Sequence, residues 1–231
     1  SSAASDVYKR QGWYCFPAGQ RLIYLRPESE NGYIIRCPEG EWESFWQDYF
    51  DLGRNYAALC EKLHGQSVFL DKALAYGKGI RVLRQDPWEM LVTFIISQRK
   101  SIPAIRTAVN LLSERYGTPV DTNGEVVHLF PTPTQLNQAS EDDLAACGLG
   151  YRTRYIKKAA ELAASGQLDM EALRSLPDEE LYQELLTLDG VGKKVANCVC
   201  LFGYSRTEMV PVDVWICLLY TSPSPRDVEE S

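Results

Sequence analysis

A lysine directly after a glycine-rich turn is the feature of this sequence that could most readily do chemistry. Within Leu185–Gly203 a helix is predicted to end before a tight turn of Gly190, Val191 and Gly192, and a second helix follows. Glycines permit the backbone conformations and close approach that a phosphate contact needs, and free N–H groups at a helix start attract anions. Lys194 then lies in the first turn of the second helix, where its amine can act as a nucleophile.

Asp213 is the carboxylate that could assist such a nucleophile. It follows Pro211 in the stretch MVPVDVW, at a predicted helix start where aspartate is a favoured N-cap. Taken alone, Asp213 is more simply explained as that cap, and Lys194 alone as a surface lysine. The functional interpretation therefore depends on whether the two residues belong to one site.

Helices are predicted for the chain beyond Glu41, behind a small β-hairpin. Two strands are indicated by RLIYLR (21–26) and GYIIRC (32–37), with a turn-rich segment between them. The segment 42–49 places four aromatic residues on one helical face. Helical periodicity recurs over 87–98, 102–116, 141–146, 151–164 and 178–186. Ser140 is a good N-cap for the third of these helices. The predicted fold is mainly α with a small α+β N-terminal part.

The two ends of the chain are predicted to lie outside the folded protein. VYKRQ near the N-terminus can be encoded by DNA whose reverse complement encodes Cys-Leu-Leu-Tyr, which begins the C-terminal segment. We therefore interpret Ser1–Gln11 and Cys217–Ser231 as translated sequencing adapter and exclude them from the fold. The part between them, Gly12–Ile216, is then expected to be an internal fragment.

Two domains are expected, both incomplete. Residues 12–84 are interpreted as the remnant of an N-terminal α+β domain, and residues 85–216 as a helical domain with its hairpin near 185–203. The chain of 231 residues is 45% hydrophobic, which is enough for a core in each.

Composition alone does not identify a ligand. The formal net charge of −7 argues mildly against a nucleic-acid partner. The local distribution of charge is more informative about nucleic-acid binding than the net charge, because a phosphate responds to a nearby basic patch. Basic residues cluster at Arg99, Lys100 and Arg106, and again at Arg152, Arg154, Lys157 and Lys158. Such runs are most often solvated helix faces. The cysteines outside the C-terminal tail lack zinc-type spacing, and no apolar run reaches membrane-spanning length, so neither a metal nor a membrane is expected.

A family resemblance joins these residues. The stretch from Leu185 has the pattern LxxLxGVGxKxA, the helix-hairpin-helix motif, and with VPVD it resembles the 8-oxoguanine DNA glycosylase family of the HhH-GPD superfamily. The hairpin lysine and the VPVD aspartate of that family are 19 residues apart, as Lys194 and Asp213 are here. RVLRQDPWEMLVTFIIS (81–97) and GLGYRTRYI (148–156) match the same family in order. An HhH-GPD fold of two domains is therefore expected.

The resemblance implies a bifunctional DNA glycosylase and abasic-site lyase of base excision repair. It would remove 8-oxoguanine from duplex DNA after flipping the damaged nucleotide out of the helix. Lys194 would attack the sugar and form a Schiff base before β-elimination, and Asp213 would be the essential carboxylate. Gly190, Val191 and Gly192 would bind the DNA backbone. No cofactor is expected, and the chain would act as a monomer on damaged double-stranded DNA, in the cytoplasm of a prokaryote or the nucleus of a eukaryote.

The resemblance also assigns residues around the extruded base. Cys198 shares a helix face with Lys194 and would line the damaged-base pocket, although a buried packing cysteine explains it nearly as well. Tyr151 would be the wedge that fills the vacated stack. Arg152 would contact the orphaned partner base, with a solvated helix face as the alternative for both.

The sequence departs from the family after TFIIS. Many members carry an Asn-rich turn there that reads the opposite cytosine, whereas this chain has Gln98-Arg99-Lys100-Ser101, and Ala104 replaces a further arginine. Arg99 becomes the candidate for contacting the opposite base, and the preference for cytosine stays open. Two other functions also stay open: the same machinery acting on an alkylated purine, and a non-catalytic helix-hairpin-helix DNA-binding module.

Overall fold

A computed structural model describes residues 8–10, 12–29, 32–122 and 124–212 of the chain. The described residues form two compact units, and the division between them falls between Asp86 and Pro87. Each unit has its own cluster of buried hydrophobic side chains.

The first unit begins with a four-stranded antiparallel sheet in which neighbouring strands are also neighbours in the chain. The strands are β1 (Tyr8–Arg10), β2 (Trp13–Ala18), β3 (Arg21–Ser29) and β4 (Gly32–Arg36). The predicted hairpin is formed by β3 and β4, with Leu25 opposite Ile35.

The edge strand β1 differs from the expectation that residues 1–11 lie outside the fold. Tyr8 pairs with Cys15, and Arg10 pairs with Trp13. A short extended segment can pair there because the edge of β2 otherwise presents unpaired N–H and C=O groups. The adapter origin of the segment stays a prediction.

Aromatic side chains form much of the core of this unit. A π-helical turn (Trp42–Trp46) continues into α1 (Gln47–Tyr49). Trp46 and Tyr49 are buried with Ile23 of the sheet, so the predicted aromatic face is confirmed. The helices α2 (Tyr56–Leu63) and α3 (Val68–Tyr76) follow.

A buried carboxylate joins α1 to the end of this unit. Asp51 is 2% exposed and accepts hydrogen bonds from Tyr56 (2.8 Å), Arg54 (2.8 Å) and Arg84 (3.0 Å). Burial by itself raises the pKa of Asp51, but the hydrogen bonds from Tyr56 and Arg84 and the two arginine charges outweigh it, so the pKa is lowered overall. The ionised form of Asp51 therefore stabilises the fold.

The second unit is built mainly of helices. They are α4 (Pro87–Ser97), α5 (Ile102–Tyr116), α6 (Pro133–Gln138), α7 (Glu141–Leu144), α8 (Thr153–Ala164), α9 (Asp178–Leu186) and α10 (Lys193–Tyr204). α4 is its central helix, with Leu91, Val92 and Ile95 fully buried; each such side chain contributes about 1.5–3 kcal/mol. α10 packs closely on α4, since a β-carbon at Gly203 would lie 3.0 Å from the Cα of Pro87.

The structure corrects two details of the predicted helices. Residues beyond Glu41 are not helical throughout, because β5 (Pro119–Asp121) and β6 (Val126–His128) form a small hairpin, as proline and β-branched valines favour extended backbone. The helix predicted over 151–164 begins later, since a π-helical turn (Ala145–Leu149) and a 3₁₀ turn (Gly150–Arg152) precede α8.

The helix start predicted at Ser140 is confirmed. Its hydroxyl accepts a 3.2 Å hydrogen bond from the N–H of Asp143. Within the described parts of the chain, none of the helices is both long and apolar enough to cross a membrane.

Candidate nucleic-acid interface

The predicted glycine turn is a tight hairpin between α9 and α10. α9 ends at Leu186, and the N–H of Val191 donates to the carbonyl of Leu188 over 3.1 Å. Leu188 and Val191 are both buried, whereas Gly192 is exposed. The two apolar side chains hold the turn in the core and leave part of its backbone at the surface.

Gly190 has two separate reasons to be glycine. Its φ of +81° lies in the left-handed region that side chains with a β-carbon rarely adopt. It also lies against Tyr155 of α8, where a β-carbon would come within 2.5 Å of the ring atoms Cγ and Cδ2. The backbone of the hairpin therefore packs on an aromatic ring with no room for a side chain.

Gly192 serves another purpose. It is the N-cap of α10, with φ −95° and ψ 177°, so its conformation is open to other residues. No heavy atom of the described residues lies within 4 Å of the position that its β-carbon would take. The first N–H groups of α10 lack intrahelical partners, and the described residues leave the space at this cap open. Such a helix start suits a phosphate group.

Lys194 is exposed in the first turn of α10. Cys198, four residues further, is buried at 5% exposure, as both the pocket and the packing interpretations require. Asp213 lies outside the described residues, which end at Val212. The structure thus places the lysine beside the glycine hairpin.

Tyr151 and Arg152 occupy the 3₁₀ turn before α8. Tyr151 is 52% exposed and Arg152 is 5% exposed. The guanidinium of Arg152 lies 4.4 Å from the centre of the Tyr151 ring and donates to the carbonyls of Leu149 (3.3 Å) and Gln98. Tyr151 is therefore accessible at the surface, while Arg152 binds the protein's own backbone.

The segment after α4 also lies beside this turn. Arg99 is exposed with φ +52°, a left-handed conformation that costs a residue with a β-carbon about 1 kcal/mol. The ammonium of Lys100 donates to the carbonyl of Gly148. Burial, followed by the charge of Arg152, lowers the pKa of Lys100. Arg99 therefore lies in a loop that is hydrogen-bonded to the segment containing Gly148 and Arg152.

Gln98 is a site residue that the sequence reasoning did not identify. Its side-chain amide donates to the carbonyl of Gly190 in the hairpin over 2.8 Å, and its own carbonyl accepts from Arg152. Its position four residues after Phe94, on the α4 face that packs against α10, was the available signal. Glutamine at a helix end does not by itself point to a long-range contact.

The second basic cluster divides into buried and exposed members. Lys157 donates to the carbonyls of Asn137 and Ala139 (2.9 Å to the latter) and so caps the end of α6. Arg154 and Lys158 are exposed and line a groove of about 560 Å³ that reaches the hairpin. Lys157 lines the groove as well, and the three basic side chains are matched in number by the carboxylates of Glu141, Glu161 and Asp189.

The fold and the hairpin define a helix-hairpin-helix protein. The family described as HhH-GPD superfamily base excision DNA repair protein matches residues 92–221. The family described as 8-oxoguanine DNA glycosylase, N-terminal domain, matches residues 6–91. The two matches together cover both compact units.

Comparison with individual relatives supports the same family assignment. The N-glycosylase/DNA lyase of Saccharomyces cerevisiae is 37% identical over 84% of this chain and 56% of its own length. The N-glycosylase/DNA lyase OGG1 of Arabidopsis thaliana is 34% identical over 90% of this chain and 60% of its own. The 8-oxoguanine glycosylase/lyase of Clostridium acetobutylicum, solved with double-stranded DNA, superimposes with a TM-score of 0.87 at 32% identity, over 97% of this chain and 78% of that one. The chain belongs to the 8-oxoguanine DNA glycosylase family of the HhH-GPD superfamily.

The chain spans between half and two thirds of the length of these two curated relatives. Its activity, substrate and partners are therefore matters for proposal.

Proposed function

We propose that this chain is a bifunctional DNA glycosylase and abasic-site lyase that removes 8-oxoguanine from duplex DNA. The observation that carries the proposal is the position of Lys194, exposed in the first turn of α10 and two residues beyond the open cap at Gly192. A phosphate-binding turn and a nucleophile would thereby lie within the same helical turn. Phosphate binding alone does not require this lysine.

The hairpin would hold the DNA backbone without reading sequence. The N–H groups at the start of α10 would donate to a phosphate, and Arg154 and Lys158 of the adjoining groove could contact neighbouring phosphates. Such contacts position a protein on the duplex and carry no base specificity. This suits an enzyme that must search any sequence for one altered base, even though the whole chain is acidic.

Tyr151 would occupy the space that the extruded nucleotide leaves. It is exposed, and Tyr155 supports it from the side with ring centroids 6.2 Å apart. Extruding a nucleotide costs a few kcal/mol, and an inserted aromatic ring recovers part of the lost stacking. Arg99, which is exposed, is the proposed contact to the orphaned base, and Arg152 could join it only by turning its guanidinium away from the carbonyls of Leu149 and Gln98.

Lys194 would then carry out the covalent steps. Its neutral amine attacks C1′ of the sugar, and the glycosidic bond breaks as the base leaves with the bonding electron pair and takes up a proton. The attached amine loses a proton and the sugar ring opens, the C1′–O4′ bond breaking as O4′ takes up a proton, which gives the Schiff base. The Schiff base loses a proton from C2′, the 3′ phosphate leaves by β-elimination, and water releases the lysine. Asp213, proposed from sequence, would stabilise positive charge on the sugar. Cys198 would line the pocket of the extruded base.

The choice of 8-oxoguanine rests on the named relatives, in particular the Clostridium acetobutylicum enzyme solved with cytosine opposite 8-oxoguanine. We also propose that the chain acts as a monomer. A substrate in chromosomal DNA would place the enzyme in the nucleoid or the nucleus.

Borohydride trapping tests the proposal. Two labelled duplexes, one with an abasic site and one with 8-oxoguanine opposite cytosine, are incubated with the wild type and with Lys194→Gln. Lys193→Gln is the matched control, because Lys193 is also exposed in the first turn of α10. We expect covalent adducts with both duplexes for the wild type and Lys193→Gln, and none for Lys194→Gln.

The other outcomes separate the alternatives. Adduct with the abasic duplex alone would keep the lyase and reject 8-oxoguanine, and an alkylated purine would be tested next. A folded wild type that binds DNA without forming any adduct would reject the catalytic proposal in favour of a binding module.

A further inference from the structure

Gln98 connects two parts of the molecule that are far apart in the chain. Its side-chain nitrogen donates to the carbonyl of Gly190, 92 residues away, over 2.8 Å, and to the carbonyl of Ile95 over 3.2 Å. Both partners are carbonyl oxygens, so the amide must present its NH₂ group to them. The two donor hydrogens join the last turn of α4 to the hairpin.

The main chain of the same residue holds the wedge segment. The carbonyl of Gln98 accepts a hydrogen bond from the guanidinium of Arg152. Arg152 is buried and lies over the ring of Tyr151 at 4.4 Å. Its Nε has no hydrogen-bond partner among the described residues, so the bonds to Gln98 and Leu149 are what offset its burial.

These contacts close a ring. Gly190 packs on Tyr155, Tyr155 meets Tyr151 edge-on with centroids 6.2 Å apart, and Tyr151 lies under Arg152. Arg152 then bonds Gln98, and Gln98 returns to Gly190. The hairpin and the wedge are thus joined on two sides, by aromatic packing on one and by Gln98 on the other.

We propose that Gln98 is a positioning residue that sets the spacing between the phosphate-binding hairpin and the wedge at Tyr151. The inference rests on the proposed function. A DNA duplex has a fixed distance between its phosphates and its base stack, so the hairpin and the wedge must keep a matching distance from each other. A displacement of about 1 Å in such an assembly can reduce a rate about a hundredfold. Gln98 makes no contact with the reacting atoms in this scheme and acts through Gly190 and Arg152.

The variants follow from the contacts. Gln98→Ala removes the bond to the hairpin and leaves the main-chain bond to Arg152. Gln98→Glu replaces the donor with an acceptor when ionised and restores a donor when protonated. Gln183→Ala is the matched control, because Gln183 on α9 makes an exposed side-chain hydrogen bond of 2.8 Å to Glu179, away from the ring.

Two single-turnover rates distinguish positioning from stability. For Gln98→Ala we expect excision from an 8-oxoguanine duplex to fall about tenfold, by the cost of slight misplacement, while cleavage at a preformed abasic site changes less than about threefold. The abasic site needs no base extruded, so it depends less on the wedge. For Gln98→Glu we expect excision, relative to the wild type, to recover as the pH is lowered. Equal losses on both duplexes, or no loss, would overturn the inference.

The rate of hydrogen–deuterium exchange in the hairpin tests the inference independently of catalysis. In the free protein we expect faster exchange over residues 186–194 for Gln98→Ala and no change for Gln183→Ala. If the wild type excises no lesion, the proposed function fails while this measurement still applies. Unchanged exchange in Gln98→Ala would overturn the inference whatever the catalytic rates.

Discussion

Gly190 lies directly against Tyr155: a β-carbon at this glycine would come within 2.5 Å of two ring atoms and 2.9 Å of the tyrosine β-carbon. Real β-carbons do not approach other atoms so closely. Because Tyr155 is on α8, the helix that follows the wedge turn, this contact makes the hairpin part of the same surface as Tyr151. Gly190 therefore has a packing role in the hairpin that Gly192, with no described atom near its β-carbon position, does not share.

Gly190→Ala and Gly192→Ala should have opposite consequences. At Gly190 the positive φ and the clash with Tyr155 should together cost about 2–4 kcal/mol of folding free energy. At Gly192 there is space for a β-carbon, so the stability should change by no more than about 1 kcal/mol, while affinity for duplex DNA falls because the methyl group obstructs the phosphate. Urea unfolding and DNA titration of both variants check this. Equal stability losses would contradict the separation of roles.

The neighbouring lysines Lys157 and Lys158 should separate stability from binding. Lys157→Met leaves the carbonyls of Asn137 and Ala139 without their charged donor, and we expect a loss of about 1–3 kcal/mol. Lys158 is exposed beside Glu161 (3.7 Å), so Lys158→Met should leave the midpoint of unfolding almost unchanged. It should also reduce the slope of log affinity against log salt concentration by about 1. A Lys158 variant with an unchanged salt slope would remove this lysine from the interface.

Arg99 should determine the preference for the opposite base. Arg99→Asn keeps a residue that tolerates the left-handed conformation but removes the guanidinium, so the fold should be retained. Cytosine presents two acceptors on its pairing edge, which a guanidinium can bind together. We therefore expect excision of 8-oxoguanine opposite cytosine to fall about tenfold and excision opposite adenine to change little. Similar losses with all four opposite bases would exclude Arg99 from reading that base.

Asp51 should make the stability of the first unit sensitive to acid. Its pKa in the folded protein lies below the ordinary value of 3.8, so its stabilising effect is complete above that value. This stabilisation is lost as the pH falls through the lower folded pKa. Asp51→Asn should cost about 2 kcal/mol at neutral pH, and the difference from the wild type should shrink toward pH 2. Thermal unfolding of both proteins between pH 2 and pH 7 measures this. A difference that stays constant over that range would show that the charge of Asp51 is not the cause.

Local features of the chain could be predicted from sequence because their causes are local. The helices at 102–116 and 178–186 have the predicted bounds, since apolar periodicity and nearby turn residues decide both. The cap at Ser140 and the hairpin of Gly190 and Gly192 depend on a few consecutive residues and were equally accessible. The small hairpin at 119–128 was missed, because its short strands carry too few residues for a periodic pattern.

The roles of the basic side chains depend on tertiary contacts and could not be predicted from the sequence. Arg152, Lys157 and Lys158 form one basic run in the sequence, yet the first two bind main-chain carbonyls and the third is exposed. Which carbonyls come within reach depends on how α8 packs against α6 and α4. No residue adjacent in sequence carries that information.

By itself the sequence determined the family, the helical character of the larger unit and the position of Lys194 directly after the glycine turn. These follow from residue type and from spacings shorter than a few helical turns. The tertiary structure alone decided that Gln98 bonds Gly190 across 92 residues and that Tyr155 lies beneath the same glycine. Such contacts depend on the packing of helices that are distant in the chain. The burial and hydrogen bonding of these side chains therefore cannot be predicted from the residues next to them in the sequence.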